Sequence, residues 1–354
     1  MFATKTKSFI CLLTTILSFT VLQAQSIEGT PYCLPKNGAR FTVKVEKTQY
    51  TPGRFCQYSM RYMKLNVSQQ PSTTYRIIGI DIAPIVRPDT SRHFKLIIDK
   101  KRSISKVTCT PDGQLLAINA DASLVVPTVR KFTPAPKPAP LNPAEFMTED
   151  ILNAGSTAKM AELSAKEIYD IRDSRNQLSR GEADFMPKDG TQLKLMLANL
   201  NRQETALRQL FEGVVTKDTT WTTIDCMPMK EGSSVFFRFS TRRGLVDADD
   251  LSGEPYHLIV KNLNTAPAPN PTPAGQKEDK ADIGLRVSKP SRIKLTLQHN
   301  TDVEATYEMN AAQFGTVESL SGELFGKKLS AAILLDPMTG SVKEIKQITP
   351  QVPK

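Results

Sequence analysis

The sequence predicts an α+β protein in which β-rich N- and C-terminal domains, sandwich or barrel-like, are joined through an antiparallel helical hairpin. Three observations predict it. Short runs of alternating or β-branched residues, bounded by turn signatures, recur before residue 132 and after residue 214. Between them, Ser156 to Gly213 carries apolar residues three and four apart. Proline-rich stretches at 133–143 and 265–282 punctuate the chain.

In the first helical arm, Ser156 to Arg180, the residues Ala161, Ser164, Ile168, Ile171, Arg175 and Leu178 make a narrow seam. Gly181 stands where a helix exits through a left-handed residue. The second arm opens at Asp189-Gly-Thr-Gln192, where Asp189 accepts from an orphan N–H and Gln192 completes a capping box. Its stripe of Leu193, Met196, Leu197, Leu200, Leu207, Leu210 and Phe211 ends at Gly213. The connector of residues 181–188 is short enough to make the arms antiparallel neighbours. Folding about Phe185 then sets Leu178 opposite Leu193 and Ile171 opposite Leu200, with Ala161 near Leu210. Arg175 should lay its stem on the seam and keep its head in water.

At the N-terminus, Lys5 and Lys7 precede an apolar run from Phe9 to Leu22 that ends in Leu22-Gln-Ala24. This pattern predicts a signal peptide over residues 1–24, and so export to the periplasm, cell surface or exterior. No other run approaches the ~18 apolar residues of a spanning helix, so no transmembrane segment is expected in the mature chain. The net charge of +10, or +8 without the two leader lysines, is dispersed, with its densest patch at Lys100-Lys-Arg102. Without interleaved aromatics or a recognisable nucleic-acid fold, that patch reads as a solvated strand face and argues against nucleic acid as a partner.

Residues 25–132 form the expected N-terminal β domain. Its strand-like runs are Arg40 to Val45, Tyr75 to Ile82 and Phe94 to Ile98, followed by a hairpin folded around Thr110-Pro-Asp-Gly113. Phe55, Tyr58, Tyr62 and Leu65 suggest a short amphipathic helix. A linker at 133–143, the hairpin unit at 144–213 and a C-terminal β domain at 214–354 follow, the last with a mobile loop at 265–282. In that domain Ile283 to Val287, Arg292 to Gln298, Glu304 to Met309 and Gly315 to Leu320 read as separate strands. A last pair flanks the turn Asp336-Pro-Met-Thr-Gly340 and echoes the earlier hairpin.

Little of this points to catalysis. His93, His257 and His299 each stand alone in strand-like runs, and no metalloprotease helix, phosphate loop or nucleophile elbow occurs. No residue is singled out as catalytic, cofactor-binding or metal-binding. The acidic group Asp247, Asp249, Asp250 and Glu254 is the one candidate for calcium, but its order does not match an EF-hand and a solvated turn is the better account. Four cysteines survive leader removal: Cys33, Cys56, Cys109 and Cys226. They permit three connectivities, among which a local Cys33–Cys56 link is preferred.

Several motifs carry a resemblance. Tyr32-Cys-Leu-Pro-Lys36, Thr51-Pro-Gly53, Ile171-Arg172, Gly181-Glu-Ala-Asp184, Asp189-Gly190, Leu210-Phe-Glu-Gly213, the run Gly244 to Gly253 and Gln313-Phe-Gly315 resemble a family of secreted Bacteroidota proteins catalogued as domain of unknown function 4831. The resemblance covers nearly all of the mature chain. It implies architecture and an exported address but no catalytic residue. The expected function is therefore an exported, non-enzymatic binding or scaffolding protein of the bacterial cell envelope, with an envelope protein or a glycan as partner. The rival is a secreted hydrolase acting on carbohydrate or peptide, with carboxylates brought together from separate strands.

Overall fold

Thr30 to Thr51 form a single strand, β1, and the rest of the fold is assembled along it. The computed structural model describes residues 29–98, 102–124, 133, 140–268, 281–328 and 330–349. The signal peptide expected at 1–24 lies outside them, as do most of the linker at 133–143, most of the loop at 265–282 and two residues of the Lys100-Lys-Arg102 patch. In the middle of β1, Ala39, Phe41, Val43 and Val45 point inward and are buried, while Arg40, Thr42, Lys44 and Glu46 face out. That alternation is what a half-buried strand requires.

β1 pairs antiparallel with β2 (Ser72–Leu96) along one side. Two short helices, α1 (Ser59–Tyr62) in the β1–β2 connection and α2 (Glu149–Leu152), precede the long α3 (Thr157–Arg180) and α4 (Gly190–Glu212). Between β2 and α2 lies the hairpin of β3 (Val107–Cys109) and β4 (Leu115–Ile118). After α4, β5 (Val214–Cys226) returns to pair with the other side of β1. There follow β6 (Gly232–Ser240), β7 (Gly244–Val246), β8 (Glu254–Asn262), β9 (Asp282–His299), β10 (Asp302–Ser321), β11 (Ser330–Leu335) and β12 (Val342–Ile348). The sheets are ordered β2-β1-β5, β10-β9-β8-β6-β7 and β12-β11-β4-β3. None of these β-rich layers closes on itself, so the barrel alternative gives way to open sheets.

The strand-rich stretches before and after the helices do not keep to separate sheets. β1 takes β5 as a neighbour, and β4 takes β11. One core packs Phe41, Val43 and Val45 of β1 against Phe237, Leu258 and Leu295 of the five-stranded sheet. A second gathers Tyr32 and Leu34 from the start of β1 with Leu115 and Ile118 of β4, Leu285 of β9 and Ile333 of β11. β1, β2, β9 and β10 each pass through both cores.

Their length is the largest departure from the sequence reading, which broke β2, β9 and β10 into shorter runs. Prolines inside β2 and β9 do not interrupt them. Pro84 and Pro88 lie in β2, an edge strand, where a missing N–H on the open side costs no ladder bond. Pro290 of β9 sits where the β9–β10 ladder skips from Ala311 to Thr316. Within that skip, a Cβ on Gly315 would come within 1.9 Å of the Lys289 carbonyl oxygen, so only glycine fits.

Between the cores lies a buried polar knot. The Gln313 side chain acts as a strand neighbour to Asn37: its Oε1 accepts from the Asn37 N–H at 3.0 Å, and its Nε2 donates to the Asn37 carbonyl at 2.6 Å. It continues the β5 side of β1 just beyond Cys226, and Nε2 also reaches the Pro228 carbonyl. The Asn37 side chain in turn accepts from the Ala312 N–H at 2.8 Å and donates to the Met338 carbonyl at 2.6 Å. Arg92 donates to the carbonyls of Ala312 and Gln313, and Gln114 donates to that of Pro337.

The helices pack as a third cluster. Met160, Ala161, Ala165, Ile168 and Ile171 of α3 meet Leu200, Leu207, Leu210 and Phe211 of α4, with Phe55 and Met63 beneath. Ser156 Oγ caps α3 by accepting from the Lys159 N–H, and Asp189 Oδ1 accepts from both Thr191 and Gln192. Gln192 reaches back to the Lys188 N–H, one residue earlier than a capping box requires. The C-terminal end of α4 docks on the turn after β1. Phe55 N–H donates to the Leu210 carbonyl, Ser59 Oγ donates to that of Phe211, and the approach is so close that a Cβ on Gly53 would lie 2.3 Å from the Leu210 oxygen.

The Arg175 head is not left to water. It bonds Asn201 and the buried Glu204, which also takes Arg172 at 2.6 Å and lies 3.8 Å from Arg208. Burial pushes the Glu204 carboxyl up, but the three guanidiniums outweigh it and hold the group below the usual carboxylate value.

Two outcomes follow. Asn37→Ala and Gln313→Ala should each lower the unfolding free energy by about 2–4 kcal/mol through orphaned backbone groups. The double variant should cost well under their sum, as read from urea titration of the Trp221 fluorescence. For Glu204 the folded-state value is depressed, so its contribution is present above the unfolded carboxylate value of about 4.3 and is lost as pH falls through the folded one. Its arginine partners are roughly a third exposed, so Glu204→Gln should remove only about 1–2 kcal/mol at neutral pH and flatten the acid limb of stability against pH.

Candidate functional site

The described surface holds a groove of about 560 Å³ where the exposed edge of β2 faces the ends of β6, β8, β9 and β10. One wall is the run Tyr75 to Ile80, with Ile78 exposed, and the opposite end is formed by Glu254, Tyr256, His299 and Glu304. Strand alternation puts Glu254 and Tyr256 on one face of β8, and the ladder sets Tyr256 beside His299 at the last residue of β9. The rings of Tyr256 and His299 stack at 4.4 Å and 5°, and Phe237 stacks on the far side of Tyr256 at 4.7 Å.

The β9–β10 turn brings in the last member. Val303 pairs with Gln298 and Ala305 with Leu297, so Glu304 is the extra residue of a bulge. A bulge turns its side chain out of the ladder's alternation. Here it places the Glu304 carboxylate 3.9 Å from His299 Nδ1, while Glu254 holds His299 Nε2 at 2.8 Å. Each ring nitrogen therefore has its own carboxylate. Only Glu254 is within hydrogen-bond reach of the ring, and among the described residues no three His, Cys, Asp or Glu groups gather as a metal site. Tyr256 is almost fully buried, and burial, followed by Glu304 and Glu254, pushes its phenol up to about 12.

The acidic turn of residues 247–254 is organised around an arginine. The Arg238 guanidinium takes the carbonyls of Ala248 and Gly253 at 2.8 and 3.1 Å. Asp250 accepts from the Ser252 N–H and from Arg243, Glu254 is turned to His299, and Asp247 and Asp249 stay exposed. The loop thus has a cation of its own, and its carboxylates diverge.

Of the three histidines, only His299 lines the groove. His93 sits beside Cys33 in the β1–β2 ladder, and His257 lies within β8. The four cysteines are unbridged. The preferred Cys33–Cys56 link does not hold, because β1 runs extended between them and separates the two by on the order of 50 Å. Burial raises the thiols of Cys33 and Cys109 and pushes Cys226 up to about 11, which keeps them protonated and poor nucleophiles at neutral pH. Glu304 and Tyr256 escaped sequence reasoning. The spacing of Glu254 and Tyr256 was legible, but the bulge that aims Glu304 leaves no local signal.

The architecture defines a β-rich protein of open, interlocked sheets, and among the described residues no helix is long and apolar enough to cross a membrane. The chain belongs to the family described as Domain of unknown function (DUF4831), whose model matches residues 28–343. No curated protein and no solved structure matches it. Three residues within the matched range stand at junctions of the fold. Tyr32 donates its hydroxyl to the Gly284 carbonyl of β9, Gly53 meets the end of α4, and Gln313 joins the polar knot.

Arg238→Met should lower the unfolding free energy by about 1–3 kcal/mol by stranding two loop carbonyls. Calcium at millimolar concentration should leave the thermal midpoint of the wild-type protein unchanged; a rise in the midpoint would put the metal back in the loop.

Proposed function

We propose that this is an exported, non-enzymatic binding or scaffolding protein of the bacterial cell envelope. In this reading α3 and α4 form an antiparallel hairpin that offers its outer end to an envelope protein or a glycan. The observation that carries the proposal is the uneven burial of α4. Its second half supplies Ala206, Leu207, Leu210 and Phe211 to the core, whereas no residue from Gly190 to Gln203 is fully buried. Leu193, Met196 and Leu197 are only half-covered there, Leu195 is 63% exposed, and Phe185 in the connector is 66% exposed. Large apolar side chains left together at the end of an element support a role in contact with a partner. The salt bridges Arg172–Glu204 and Arg175–Glu204, with the Arg175–Asn201 bond, support the antiparallel sense.

The second reading, a secreted hydrolase of carbohydrate or peptide, draws on Glu254 and Glu304 on either side of His299. Both carboxylates are engaged with the imidazole, and Glu254 is largely open to water, which favours binding over chemistry. An affinity pull-down of the mature protein from envelope extract, with glycan-array binding beside it, separates the two. Wild-type protein should retain a partner or glycan that a Phe185→Ser, Leu195→Ser double variant of unchanged circular dichroism loses by at least about tenfold. Turnover of a polysaccharide or peptide library, with no stable partner, would overturn the proposal in favour of the hydrolase.

A further inference from the structure

The open edge of β2 changes character along its length. Asn37 of β1 spends its backbone N–H and carbonyl on Gln313, on the side away from β2. Its ladder partner Val86 therefore turns its own backbone groups to the open edge, and the two-residue alternation of an antiparallel pair extends this to Pro84, Ile82 and Ile80. The bulge between Lys44 and Val45 shifts the phase by one residue, so beyond it Ile77 and Tyr75 face the edge. Tyr75 bears this out, because its N–H donates away from β1 to the Thr241 carbonyl at 2.8 Å. Pro84 and Pro88 withdraw the donor from one part of this edge, which closes it to further pairing. Ile77, Ile80 and Ile82 have no such protection, and among the described residues no other backbone bond crosses the edge there. The groove of about 560 Å³ runs along this unprotected part, lined by Tyr75 through Ile80.

We infer that this groove takes a single extended segment of another polypeptide, added as a strand to the edge of β2 from Ile77 to Ile82. Thr241 already makes the first bond of such a strand, by setting a backbone carbonyl on the Tyr75 N–H. The groove has a second wall, built from Phe239, Ser240 and Tyr256, which leaves no room for a strand still embedded in a sheet. The occupant is therefore a lone segment and not the β2 edge of a second copy. Its charge follows from the groove end. Glu254 and Glu304 have only His299 between them, so that end stays net negative. The nearby arginines are engaged, Arg76 with Glu46 and Arg243 with Asp250 and Ser252. A segment with neutral or basic side chains fits, and an acidic one is disfavoured. The site stands apart from the helical surface, and its test is independent of whether that surface binds anything.

The test selects a library of random decapeptides on the full mature protein, with counter-selection on Ile80→Pro, a proline in the same edge-facing phase as Pro84. The enriched peptide is then remade in two forms, N-methylated at its odd or at its even residues. The form whose N–H groups face β2 should bind at least about tenfold more weakly, and the other form within about twofold of the parent. Amide exchange of the wild-type protein supplies a readout that needs no substitution. Bound peptide should slow exchange at Ile77, Ile80 and Ile82 by at least about tenfold, and leave unchanged Asp81 and Ala83, which β1 already protects. Should Ile80→Pro not keep the wild-type circular dichroism, the exchange and N-methyl readouts decide alone. No enriched peptide, equal losses from both N-methyl forms, or unchanged exchange at Ile77 and Ile80 would overturn the proposal. A dimer in sedimentation that protects those same amides would overturn it too, in favour of a second copy.

Discussion

The reciprocal amide contact between Asn37 and Gln313 is the constraint on which the rest of the fold depends. Gln313 stands in for a strand: it offers an acceptor and a donor to the backbone of β1 at the point where β5 has ended. Without it, the Asn37 N–H and carbonyl would be buried without partners on that side, and β1 could not pass from one hydrophobic core to the next as a continuous strand. The Asn37 side chain closes the circuit through the Ala312 N–H and the Met338 carbonyl, which ties the β9–β10 pair and the last hairpin to the same residue. A buried amide pair of this kind contributes only modestly to net stability. Its larger effect is on register, because a one-residue slip of β1 would leave all four groups unmet.

That knot also explains how far the sequence could be read. Local signals were dependable. Gly181 ends α3 in the left-handed region, Asp189 caps α4, Thr110-Pro-Asp-Gly113 and Asp336-Pro-Met-Thr-Gly340 turn their hairpins, and the two similar hairpins meet through Ile118 and Ile333 in one sheet. Long-range pairing was not legible. Nothing in Val214 to Cys226 says that it lies beside β1, and nothing in Leu115 to Ile118 calls for β11. Strand alternation fixes which face a residue takes, but not which strand it neighbours. Proline is no sure boundary for a related reason: Pro84, Pro88 and Pro290 lie inside long strands, because a missing N–H ends a strand only where it would have been used.

The groove repeats the lesson at smaller scale. Glu254 and Tyr256 share a face by simple alternation, yet their significance comes from His299 across the ladder and from a bulge that turns Glu304 toward it. The acidic run from Asp247 to Glu254 looked like one cluster in the sequence. In the fold it divides, with Asp250 held by Arg243, Glu254 by His299, and the loop carbonyls by Arg238. Chemistry that looked concentrated is dispersed, and chemistry that looked scattered is assembled. In both cases the tertiary pairing of strands decides.

Strands from both sides of the helices form one interlocked body around β1. Amide hydrogen exchange in native protein under increasing urea tests it directly. The account predicts that the central amides of β1, β5, β9 and β11 lose protection together, in a single cooperative step. Loss of protection in β9, β10 and β11 at a urea concentration where β1 and β2 remain fully protected would contradict it.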